Sequence, residues 1–169
     1  SHCGTYRLNP ALAKTMQREP LKNLADVQAL GKEVAAQGFR GLKTNIFLFD
    51  EQPELHMPGF GKSAGWPELN ATTKVIDALR AQLGAFRDGA GSNVGIHLDL
   101  NFNFKPEGYV RVMRALDDLD LAWFELDILD AQALRRIRDA VQTPIASCES
   151  IFGLRGFKPF FEHAAMDVA

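Results

Sequence analysis

Apolar residues recur along this chain at two spacings, and the two spacings take turns. From Leu24 to Gln37 the apolar positions Leu24, Val27, Leu30 and Val34 stand three or four apart, which predicts a helix stopped by Gly38. A short apolar run follows at Gly41 to Phe47 and predicts a strand. Residues 50–70 hold Pro53, Pro58, Pro67, Gly59, Gly61 and Gly65, so this stretch reads as a long loop, and long loops in compact domains tend to be functional. Val75, Ile76, Leu79, Leu83 and Phe86 then form a helical face, and Gly89 to Asn93 turn the chain into a strand over Val94 to Leu100.

The alternation continues. Pro106 at a helix start, with Tyr109, Val110, Met113 and Leu116 behind it, predicts a helix, and Ala122 to Glu125 the next strand. Leu134, Ile137 and Val141 mark another helix, followed by a strand around Ile145 to Ser147. Phe157, Phe160 and Phe161 give an aromatic-faced helix, and Met166 to Ala169 reads as a strand beginning. An N-terminal strand is expected to end near His2 and Cys3.

Strand and helix in strict turn mean an α/β fold with a parallel sheet. The expected architecture is an incomplete (β/α)8 TIM-type barrel, residues 1–169 as a single partial barrel domain covering about strands 1–6, because a closed barrel takes about 250 residues. By this reading these strands are expected to belong to a longer polypeptide. The competing architecture is an open doubly wound sheet, but no G-x-G-x-x-G or Walker turn follows any strand to support it.

Composition narrows the partners. The 169 residues are 46% hydrophobic and 24% charged, which suits a folded globular domain rather than a disordered chain. A net charge of −2 without a Lys/Arg stripe gives no nucleic-acid or anionic-membrane surface, so small molecules are the expected partners. No run reaches the roughly 18 apolar residues of a membrane span, and residues 1–4 lack a signal-peptide pattern, so a cytoplasmic protein is expected. Cys3 and Cys148 are too few for a disulfide framework and are placed too far apart in a barrel to join.

Candidate chemistry lies where strands end, since the loops after parallel barrel strands share one rim. Asp99 ends Gly-Ile-His-Leu-Asp, Glu125 ends Ala-Trp-Phe-Glu, and Glu149 follows Ile-Ala-Ser-Cys, each about one strand-helix unit from the next. Three carboxylates at one level repel unless a cation joins them, and hard oxygen ligands select Mg²⁺ or a similar ion. The plainer alternative is that each acid caps the following helix.

These stretches, together with Gly38-Phe39-Arg40-Gly41-Leu42-Lys43-Thr44-Asn45, resemble the enolase superfamily in its mandelate racemase/muconate lactonizing enzyme branch, over essentially the whole chain. The resemblance implies that Asp99, Glu125 and Glu149 bind Mg²⁺ and that a base removes the proton α to a carboxylate, with the metal stabilising the enediolate. It also implies a capping domain and C-terminal barrel strands, which these residues do not include. Racemase-like members carry Lys-x-Lys where this chain has Lys43 and Asn45, and an amide cannot take the proton. Lys43, two residues from Asn45 and on the same face, is expected as the catalytic cation that neutralises a substrate carboxylate; a lysine reaching out to solvent is the alternative.

Asn45, Asn101 and His56 are the substrate-binding candidates, His56 because it lies in the long loop, although an exposed loop histidine would do nothing there. Asn103 is left open between site and turn, Asp127 reads first as a solvated loop acid, and His97 as a residue of the barrel interior. The first functional expectation is a magnesium-dependent dehydratase of a sugar acid or related hydroxy acid, because the missing second lysine leaves one face of the α-carbon without a base. The alternatives are a racemase or epimerase of a hydroxy or amino acid through the same intermediate, and a non-catalytic barrel fragment. A homo-oligomer acting on a small-molecule carboxylate is expected.

Overall fold

The protein is described by a computed structural model covering residues 2–8, 10–60 and 71–169. The chain forms two compact units, Ser1–His56 with Thr73–Asp99, and Met57–Thr72 with Leu100–Ala169.

In the first unit, strands β1 (His2–Cys3), β2 (Gly41–Thr44) and β5 (Gly95–Asp99) run parallel with β2 in the middle, in the registers His2↔Leu42 and Lys43↔His97. Helices α2 (Leu24–Ala36) and α3 (Thr73–Ala90) follow β1 and β2 in the crossover manner that parallel pairing demands. α2 starts where the Asn23 side chain accepts the Asp26 N–H at 3.1 Å, and it ends before Gly38, whose φ of 77° suits a residue without a Cβ. Most of the faces read from spacing are buried, Val27, Leu30 and Val34 on α2 and Val75, Leu79, Leu83 and Phe86 on α3, but Leu24 at the start of α2 is exposed and Ile76 only half-buried. The two helices meet backbone to backbone. A Cβ at Gly89 would lie 2.0 Å from the Gln28 carbonyl oxygen, and one at Gly31 would lie 2.8 Å from that of Phe86. A short helix α1 (Pro10–Thr15), which the apolar spacing did not reveal, also belongs to this unit.

Two expectations need correction here. The run from Gly41 to Phe47 is not one strand: β2 stops at Thr44, and β3 (Phe47–Phe49) pairs instead with β4 (Pro53–Leu55) as an antiparallel hairpin. The loop expected over 50–70 therefore begins with a strand, and Pro53 is tolerated because it sits at the strand's first position. The part of that loop at 61–70, Pro67 included, lies outside the described residues.

The second unit carries α4 (Pro106–Arg114), β6 (Trp123–Glu125), α5 (Ala131–Arg138), β7 (Ile145–Ala146) and α6 (Gly153–Glu162), with β6 and β7 parallel in the register Phe124↔Ile145. Tyr109, Val112, Met113, Phe124, Leu134, Ile137 and Phe160 fill its core. α5 ends at Arg138, ahead of Val141, and the strand expected from Met166 is a single parallel bridge between Ala146 and Val168. Asp130 caps α5 by accepting the N–H groups of Gln132 and Ala133 at 2.9 and 3.0 Å. The bond from Ala133 is the main reason its carboxyl sits below the ordinary range.

Asp167 ties the end of the chain to β7. Its Oδ1 accepts the Arg138 Nε–H at 2.9 Å, and its Oδ2 accepts the Ile145 N–H at 3.0 Å. The bond to Arg138 chiefly, helped by that from Ile145, holds the carboxyl below its usual value. A depressed carboxyl adds stability above the unfolded-state value of about 3.9 and loses it as pH falls through the folded value. Asp167→Asn should therefore lower stability at neutral pH, by an amount that shrinks as acid protonates the native carboxylate. Urea unfolding of both proteins across the acid range reads this directly, and a difference that stays constant down to about pH 2 would contradict it.

Among the described residues, no helix is long and apolar enough to cross a membrane. The architecture supported is a mixed α/β arrangement with mostly parallel strands.

Candidate active site

The first unit brings Lys43, Asn45 and Asp99 together. In parallel pairing Lys43 stands opposite His97, so Asp99, two residues further along β5, lies on the same face of the sheet. The Lys43 Nζ reaches it, 3.0 Å from Asp99 Oδ2. The carboxylate is 7% exposed and the lysine side chain 28%, so the charges are partly withdrawn from water and their attraction is little screened. Lys43 does not snorkel to solvent.

Asn45 lies just past the end of β2, and both ends of its amide are engaged. Its Oδ1 accepts the Thr5 hydroxyl at 2.6 Å, its Nδ2 donates to the Asp99 carbonyl at 3.2 Å, and its backbone N–H donates to Thr5 Oγ1 at 3.2 Å. The amide pins the C-terminal ends of β2 and β5 together. Beneath it, fully buried Gln82 on α3 accepts the Phe47 N–H at 2.9 Å and donates to Thr44 Oγ1 at 2.9 Å and to the Asn45 carbonyl at 2.8 Å. Gln82 thus replaces the ladder bonds that β2 loses on ending at Thr44. His97 is buried one layer below Asp99, and burial chiefly, with smaller contributions from positive charges that include Lys43, lowers its pKa. His56 is half-buried, its N–H bonded to the Ile46 carbonyl at 2.9 Å and its Nδ1 3.5 Å from Glu54 Oε1.

The second unit carries Glu125, Asn101 and Glu149. Glu125 ends β6 half-buried, and its carbonyl accepts the Leu100 N–H at 2.8 Å. Asn101 is buried with φ of 48°, in the left-handed region that Asn tolerates better than most residues. Its carbonyl takes the Tyr109 hydroxyl and, at 3.4 Å, the Asp127 N–H. Asp127 is 6% exposed, so it is not a solvated loop acid; the chain after β6 folds it inward. Asn103 is buried and accepts the Gly59 N–H at 3.0 Å, which accounts for it as a structural tie. Glu149 is exposed, in a turn entered through Cys148 at φ 80°. Burial, its main cause, pushes the Cys148 thiol up, so it is a poor nucleophile.

Among the described residues, no three His, Cys, Asp or Glu side chains gather into a metal-holding group. Asp99 belongs to the first unit and Glu125 and Glu149 to the second. The donor chemistry of each nevertheless suits Mg²⁺: all three are hard carboxylate oxygens, Asp99 and Glu125 at strand ends and Glu149 in the turn after β7, and Asp99 is a buried carboxylate already set against a positive charge.

Residues 26–169 match the family described as enolase C-terminal domain-like. The chain belongs to the enolase superfamily. No curated protein matches it. A solved structure from Burkholderia xenovorans strain LB400, provisionally named an L-alanine-DL-glutamate epimerase, is 47% identical with a TM-score of 0.84, over 89% of this chain and 38% of that one. A second structure of that name and strain, bound to magnesium and fumarate, is 45% identical with a TM-score of 0.87, over 98% of this chain and 41% of that one. A mandelate racemase/muconate lactonizing enzyme-like protein from Rubrobacter xylanophilus DSM 9941 shares the fold at 22% identity and a TM-score of 0.68, over 83% of this chain and 34% of that one. The chain spans about two-fifths of the length of the two Burkholderia structures. Within this enolase-superfamily chain, Thr5, Gln82 and Tyr109 are the residues that the sequence reading missed. Gln82 had left a signal, a polar residue on the Leu79, Leu83 and Phe86 face of α3.

Proposed function

We propose that this chain is part of a magnesium-dependent racemase or epimerase that exchanges the proton α to the carboxylate of a hydroxy or amino acid. The observation that supports the reading most is the Lys43 ammonium 3.0 Å from Asp99 Oδ2, a strand-end cation beside a strand-end metal-ligand candidate in an enolase-superfamily chain. The epimerase name of the Burkholderia protein favours this over dehydration, and that protein's magnesium favours the metal.

In this reading Asp99, Glu125 and Glu149 would hold Mg²⁺, which when bound would supply the positive charge that stabilises an enediolate. Lys43 places a second positive charge where the substrate carboxylate sits. Asn45 keeps the Lys43 and Asp99 strand ends in register, and Asn101 and His56 are the proposed contacts to substrate polar groups. The substrate is a small carboxylate and the assembly a homo-oligomer.

Dehydration of a sugar acid is the second reading. One observation favours it: Asn45, where racemase-like members have their second lysine, has an amide already bonded to Thr5 and Asp99 and cannot accept a proton. Incubation in D₂O with L-alanyl-L-glutamate and a panel of hydroxy acids separates the two. Deuterium at the α-carbon with inverted configuration supports epimerisation; a 2-keto product with no inverted substrate would overturn it in favour of elimination. Neither product from any acid, with magnesium bound, would leave the chain's parent protein without this chemistry.

A further inference from the structure

Lys43 has a second relation to the site besides facing substrate. Its ammonium lies against one oxygen of the carboxylate proposed to bind the metal. Its backbone cannot withdraw, because β2 is flanked on both sides: Cys3 and His97 are its strand partners, and its carbonyl accepts the Gly4 N–H at 2.9 Å. The Asp99 backbone is held equally, with its carbonyl taking the Asn45 amide. A positive charge anchored on β2 therefore starts out sharing Asp99 with any cation that this carboxylate binds.

From this geometry we infer that Lys43 weakens the binding of a divalent cation at Asp99 and so tunes metal affinity, in addition to its role toward substrate. The inference rests on the proposal that Asp99 is a metal ligand. Like charges a few ångströms apart in a partly desolvated site repel strongly. Coupling is reciprocal, so a cation on Asp99 loosens the hold of that carboxylate on Lys43. Lys43 is then released to pair with the carboxylate of a substrate, which makes substrate binding depend on prior loading of the metal.

Two other roles for Lys43 give different results. A lysine that only receives substrate leaves metal affinity unchanged when removed. A lysine that mainly holds the Asp99 carboxylate in its binding rotamer weakens affinity when removed.

The test is titration calorimetry with Mg²⁺ alone on the intact polypeptide at fixed ionic strength, comparing wild type with Lys43→Met, Lys43→Gln and Lys43→Arg, and with Asp99→Asn as reference. Each variant is checked for folding by circular dichroism, and the two neutral substitutions guard against one failing to fold. The expected result is binding about tenfold tighter in the neutral variants, and no tighter than wild type in Lys43→Arg, which keeps the charge. Binding in both neutral variants that is unchanged within about twofold, or weaker, overturns the inference while leaving the metal site standing. No Mg²⁺ binding by wild type overturns both, and wild-type affinity in Asp99→Asn overturns the assignment of Asp99 on which both rest.

Discussion

Asp99→Asn is expected to weaken Mg²⁺ binding at least about 100-fold and to abolish α-proton exchange. Magnesium takes hard oxygen ligands and depends on the charge of one or two carboxylates for its affinity, and an amide oxygen supplies no such charge. Among the three acids of the proposed site, Asp99 is the one whose surroundings carry the argument furthest. It is buried, its carbonyl is fixed by Asn45, and Lys43 compensates its charge. The substitution also leaves Lys43 without its anionic partner, so the folded state should be slightly less stable. Calorimetry and exchange in D₂O measure the two effects, and retention of wild-type magnesium affinity would remove Asp99 from the metal site.

Gln82→Leu should cost about 3 kcal/mol of stability, although leucine is close to glutamine in size and well suited to a buried helix face. The reason is what it leaves behind. The Phe47 N–H loses its acceptor, Thr44 Oγ1 loses a donor, and the Asn45 carbonyl loses its donor at 2.8 Å while the Thr44 hydroxyl at 3.2 Å remains. Each buried polar group left unpaired costs about 1–3 kcal/mol, which outweighs the gain from burying a more apolar side chain. The break between β2 and β3 then loses the bonds that Gln82 supplies, and the relation of Asn45 to Asp99 should loosen. Chemical denaturation measures the loss, and hydrogen exchange should show the Phe47 amide deprotected. A stability within about 0.5 kcal/mol of wild type would mean that water or a backbone shift satisfies these groups.

The site combines legible and illegible parts for the same reason. Asp99 and Glu125 were readable as strand ends because each follows a short apolar run, and Lys43 because it stands in β2 at the two-residue period. Their roles in a common centre depend on which strands lie side by side, and spacing along the chain does not say that. Asp127 shows the limit most clearly. A charged residue between a strand and a helix is exposed on average, yet the backbone bond from Asp127 to Asn101 draws it inward. Asn103 was ambiguous for a similar reason: its partner, the Gly59 N–H, lies 44 residues away in sequence.

What the sequence determined by itself is the local periodicity. The faces of α2, α3, α4 and α5 and the strand ends at Asp99 and Glu125 follow from which neighbouring residues are apolar, a property each segment carries wherever it packs. What only the tertiary structure decided is where the strand after Lys43 stops, which acid Lys43 meets, and which polar residues are ties rather than ligands. Those outcomes turn on hydrogen bonds and ion pairs between distant segments, such as Gln82 to Thr44 across 38 residues and Asn45 to Asp99 across 54. A buried polar group must be satisfied by whatever the fold brings beside it, and that partner is set by packing rather than by position along the chain.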